Sequence, residues 1–130
     1  MSPKSINSVT VPVCSLDLLD NGIIELRFIR EYELQIEDIE AIQQAIVELD
    51  PSPKKILVIP GQYGGISKDA RKVDFFEKTG SKDQLSVAIV STQLHHRLVG
   101  TMYFKFFDPK QYNPKFFKNE SQAREWLLLQ

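Results

Sequence analysis

The sequence predicts an α/β fold on a mixed, mostly parallel sheet that opens with an antiparallel hairpin, in the order ββαβαβαβα. Three observations carry this. Asn21-Gly22 stands between two apolar runs, and Asn-Gly in that setting is a strong short-range hairpin signal. After the hairpin the apolar residues recur at three- and four-residue steps instead of alternating, which marks a change from strand to helix. Short unbroken apolar runs then alternate with amphipathic stretches, the pattern of parallel strands joined by helices.

Each element has its own justification. The first strand is expected from about Val9 to Leu18; Pro12 lacks a ladder donor, which confines it to an edge or to the strand's start. The second, Ile23 to Ile29, sets Ile24, Leu26 and Phe28 against Glu25 and Arg27, so it is half-buried. Ile36, Ile39, Ile42, Ile46 and Leu49 form one stripe of a first helix. Glu37, Asp38 and Glu40 favour its positive end, and Pro51 and Pro53 stop it. Lys55 to Ile59 reads as a strand covered on both faces. Beyond a glycine-bearing loop, Ser67 is placed to cap a helix reaching about Thr79. Leu85 to Val90 repeats the buried-strand pattern, and Ser91 or Thr92 caps a third helix carrying Leu94, Leu98, Met102 and Phe106. A short strand near Phe116-Phe117 precedes a last helix, capped at Asn119 and Gln122, with Ala123, Trp126 and Leu127 inward.

At 130 residues the chain fits one domain with a core that needs no metal or disulfide. Sixteen basic against seventeen acidic side chains lack the excess that phosphate contacts require, so no nucleic-acid partner is expected. A single cysteine makes no internal disulfide, and no Cys/His spacing makes a zinc site. No run spans a bilayer and Met1 to Thr10 has no secretory stretch, so a soluble, cytoplasmic protein is expected. Charge is uneven: residues 1–65 carry 5 basic and 10 acidic side chains, residues 66–130 carry 11 and 7. That reads as helix faces of different sign or as two ends that meet different partners.

Three stretches stand out: Lys54-Lys55-Ile56-Leu57-Val58-Ile59 running through to Gly65-Ile66-Ser67-Lys68-Asp69-Ala70-Arg71, then Ser91 with His96 to Phe104, then Asn113-Pro114-Lys115-Phe116-Phe117 ending in Ala123-Arg124-Glu125-Trp126-Leu127. In this order they resemble the STAS-like superfamily. This superfamily holds the anti-sigma-factor antagonists and STAS/lipid-carrier-like domains of unknown function. The last stretch is similar to an uncharacterised branch commonest in Bacteroidetes-type bacteria. The resemblance implies a STAS-like fold and binding rather than catalysis. In the antagonists a serine after the third strand is phosphorylated by a partner kinase. The matching position is nearest Ser67, without the Asp-Ser-Ser-Gly signature. Other relatives suggest a carrier of an apolar or lipid-like ligand.

Candidate sites follow from the carboxyl ends of the parallel strands, where open α/β sheets bind ligands. Gly64, Gly65, Ser67 and Lys68 would place amides, a dipole end and a lysine around an anion or phosphate. A tight turn with an N-cap needs the same residues. Ser91 and Thr92 reach the same edge after Val90. The glycines match neither nucleotide-loop spacing, and no cofactor is expected. His95 and His96, adjacent on a helix, point about 100° apart and cannot share one metal. No activated nucleophile is readable, so no catalytic residue is assigned. Cys14 reads as a small buried hydrophobe.

Seven of the thirteen aromatics lie between Tyr103 and Lys118, interleaved with Lys105, Lys110, Lys115 and Lys118. Either Phe106 and Phe117 are core and the lysines a solvated rim, or Tyr103, Phe104, Phe107 and Tyr112 form an exposed patch. The second alternative implies a homodimer or a protein partner. The expected function is therefore a non-enzymatic regulatory or protein-interaction domain that self-associates, with a small apolar ligand carrier as the alternative.

Overall fold

The computed structural model describes residues 4–28, 34–59, 67, 69, 79–80, 85–90 and 113–130. Six strands form one sheet: β1 (Ser5–Val11), β2 (Cys14–Leu19), β3 (Ile23–Phe28), β4 (Lys55–Ile59), β5 (Ser86–Val90) and β6 (Asn113–Phe117). Their order in the sheet is their order in the chain. The pairs β1–β2 and β2–β3 are antiparallel; β3–β4, β4–β5 and β5–β6 are parallel. Two helices are described, α1 (Ile36–Leu49) and α2 (Glu120–Leu128). The class is α/β with a mixed sheet.

The expected hairpin forms around Asp20-Asn21-Gly22. The amide of Gly22 donates to the carbonyl of Leu19 at 3.0 Å, and that of Ile23 donates to Asn21 Oδ1 at 3.1 Å. Gly22 has φ +90°, where a Cβ would strain the backbone. Three loop residues ending in a left-handed glycine are a common hairpin closure. The single strand expected over Val9–Leu18 is instead two strands. Val11 pairs with Cys14 across a two-residue turn at Pro12-Val13, so the chain opens with two hairpins in succession. Pro12 has its φ already set for a turn and has no amide to lose. The turn uses no left-handed residue, so neither Gly nor Asn signals it. The proline thus sits beside the edge strand, in the turn that ends it.

The helices cover opposite faces. α1 buries Ile39, Ile42, Ala45, Ile46 and Leu49 and packs over β1 and β2. At its start the amide of Gln35 donates to Asp38 Oδ2 at 2.8 Å. At its end Asp50 Oδ1 accepts the amide of Ser52 at 2.9 Å, ahead of Pro53. Gly80 closes on the same corner. Its amide donates to the Pro51 carbonyl at 2.8 Å, and a Cβ there would stand 2.7 Å from Ser52 Oγ. α2 begins at Asn119, whose Oδ1 accepts the amide of Gln122 at 2.9 Å. It packs over β4, β5 and β6 and buries Ala123 and Leu127, with Trp126 against Phe117. Alternation along the strands separates two cores. Cys14, Leu16, Ile24, Leu26, Ile56, Val58, Val87 and Ile89 face the α1 side, while Leu19, Ile23, Leu57, Ala88 and Val90 face α2.

Candidate functional site

Of the expected anion-site residues, Ser67 is the one that falls among the described residues. Its amide donates to the carbonyl of Leu34 at 2.8 Å, tying the segment after β4 to the one that enters α1. Gly64, Gly65, Lys68, Ser91 and Thr92 lie outside the described residues, as do His95, His96 and the patch residues Tyr103, Phe104, Phe107 and Tyr112. Cys14 is fully buried, and burial pushes its thiol up to about 12 from 9.0. It is a core residue and carries no reactive chemistry.

The aromatic segment is described where it ends. Phe116 and Phe117 are neighbours on β6 and face opposite sides of the sheet. Phe117 packs on Trp126, with ring centroids 5.6 Å apart and planes at 47°. Lys115 Nζ lies 5.6 Å from the Phe117 ring and 6.0 Å from that of Trp126, within cation–π range. Phe116 is 38% exposed, and Lys115 and Lys118 are exposed as well. Phe117 is thus packed against the core on the α2 side. Phe116 puts an aromatic edge on the surface of β6, an outermost strand among those described.

A second constellation joins β3 to α2. Arg27 Nη2 and Nη1 donate to Glu120 Oε1 and Oε2 at 2.8 and 3.3 Å. Arg124 donates to Glu25 at 2.7 Å and to Glu120 at 3.0 Å. The two-pronged hydrogen bond from Arg27 holds the Glu120 carboxyl below the usual carboxylate range, and the same bond raises the Arg27 guanidinium. Two cations and two anions satisfy one another, and the cluster ties α2 to the sheet. The sequence shows half of it. Glu25 and Arg27 occupy the polar face of a strand, and Glu120 and Arg124 are spaced i, i+4 on a helix. Their meeting across more than ninety positions has no local signal. Among the described residues no group of three or more His, Cys, Asp or Glu is arranged to hold a metal ion. No described helix is long and apolar enough to cross a membrane.

A family model described as a domain of unknown function, DUF7793, matches residues 18–129. The chain belongs to this family. No curated protein and no solved structure matches it. The DUF7793 span takes in β3 to β6 and both helices, hence the network on α2 and the Phe116 edge. β1 precedes it.

Proposed function

We propose that this DUF7793 chain is a STAS-like regulatory or protein-interaction domain that self-associates and acts by binding, without catalysis, in the cytoplasm. The STAS-like part rests on the resemblance of three stretches in the chain. Strands paired in chain order, with an antiparallel start and a closing helix on the other face, are compatible with it. The observation that carries the interaction reading is Phe116. A large aromatic side chain, 38% exposed on β6, the outermost of the described strands, is the kind of residue that anchors protein contacts. It also continues directly from the aromatic segment that begins at Tyr103.

Native mass spectrometry and sedimentation of the parent chain and of Phe116→Glu test this. The parent is expected to dimerise with no added mass, and Phe116→Glu to weaken that dimer roughly tenfold or more. Trp126 fluorescence should be unchanged, because Phe117 and not Phe116 packs on it. A parent monomeric at every concentration, or a variant that dimerises like the parent, overturns the reading. A bound mass of lipid size would establish the carrier instead.

A further inference from the structure

Among the described strands β1 lies at one edge of the sheet, and it has the composition of a strand that adds to other strands. Ser5–Val11 has no charge and no proline, and five of its seven residues are exposed. Such an edge is a template for a second chain unless something blocks it. The usual blocks, a lysine or an inward charge, are missing from the strand. The backbone geometry shows what stands in for them.

A two-residue turn makes its closing pair, Val11 and Cys14, hydrogen-bonded. By alternation Val9–Leu16 is hydrogen-bonded as well, while Thr10 and Ser8, opposite Ser15 and Asp17, turn their amides and carbonyls outward. The outward amide of Ser8 is not open. It donates to Asn7 Oδ1 at 3.0 Å. One step further the register shifts, with Ser5 opposite Leu19 and Asn7 opposite Leu18, so Ile6 is an extra residue that bends the strand. Ile6 is 64% exposed. The Ser5 hydroxyl donates back across the pair to Asp17 Oδ1 at 3.0 Å, fastening the start of the bent strand to β2.

We infer that Asn7 guards the open edge of the sheet: its side chain occupies the outward amide of Ser8 and, with the bulge at Ile6, keeps a second chain from adding a strand to β1. The inference is independent of the proposed self-association, which runs through side chains at the opposite edge. At that edge Pro114 also deprives β6 of a backbone donor.

The test compares sedimentation of the parent, Asn7→Val and the double variant Asn7→Val/Ser8→Pro. Asn7 is exposed, and valine suits an edge strand. Asn7→Val is expected to form species larger than the parent's own, with roughly tenfold or greater gain in association. Proline at position 8 removes the freed amide without cost to the ladder, so the double variant should return to the parent's behaviour. A folded Asn7→Val that sediments like the parent overturns the inference. So does a double variant that still assembles, since association would then come from the valine side chain. Amide exchange in the parent chain supplies a readout that needs no variant. The Ser8 amide should exchange several-fold more slowly than that of Thr10, and equal rates would count against the guard. The parent's own dimer, present or absent, changes none of these outcomes.

Discussion

Cys14 shows how position decides the chemistry of a side chain. It lies on β2 opposite Phe28, fully buried in the core under α1. Charging the thiol there means placing an anion among aliphatic side chains, so its ionisation moves from 9.0 to about 12. The unfolded chain releases this proton at the lower value, and the folded chain holds it. Stability from this group is therefore complete below 9.0 and falls as pH rises toward about 12. The native protein should resist a thiol reagent at neutral pH, and labelling should proceed at the rate of global opening. Labelling as fast as that of an unfolded peptide would show Cys14 to be accessible and its burial wrong.

At the scale of elements, α2 is held in two ways that separate by pH. Ala123 and Leu127 supply the apolar contact, and Glu120 and Arg124 supply the charge contact with β3. Arg27, Arg124 and Glu120 are each about a third or more exposed, so each ion pair contributes only about 0.5 kcal/mol after screening. Glu120→Gln breaks two such pairs, with Arg27 and with Arg124, and should destabilise the fold by about 1 kcal/mol at neutral pH, leaving both arginines in reach of Glu25. Because the Glu120 carboxyl titrates below its ordinary 4.5, its contribution is present above that value and lost as pH falls below it. Urea melts of parent and variant should thus converge in acid. A gap that persists there would mean that Glu120 acts through packing.

What could be read from the sequence follows the same division between local and distant. Gly22, Asn119 and the isoleucine stripe of α1 act on residues within a few positions, and each is legible as a turn, a cap or a buried face. The turn at Pro12-Val13 was not, because valines and leucines run through it and it needs no left-handed residue. The charge network joins Arg27 to a helix 93 positions away, and no periodicity encodes that. On β6 alternation separates Phe117, toward Trp126, from Phe116, toward the surface. The aromatic count alone does not divide them. The guard at Asn7 was hidden for another reason: it depends on which way one amide points, which is set by the length of the hairpin loop.

Over the whole molecule the sheet is a wall shared by two cores. Neighbouring residues of β4 serve different sides, with Ile56 and Val58 toward α1 and Leu57 toward α2. The same strand cannot lose one set of contacts and keep its position for the other, so the cores should unfold together. Trp126, the single tryptophan, reports on the α2 side, while Ile46 is buried on α1 across the sheet. Ile46→Ala removes three carbons from a fully buried site and should cost about 2–5 kcal/mol. If the wall is shared, the Trp126 fluorescence midpoint in urea moves down with the far-UV dichroism midpoint, by the same amount and with an unchanged slope. If the cores are independent, dichroism shifts and the Trp126 transition stays at the parent's midpoint. That second result would make α2 and its ion pairs a separate unit, able to release from the sheet while the α1 side remains folded.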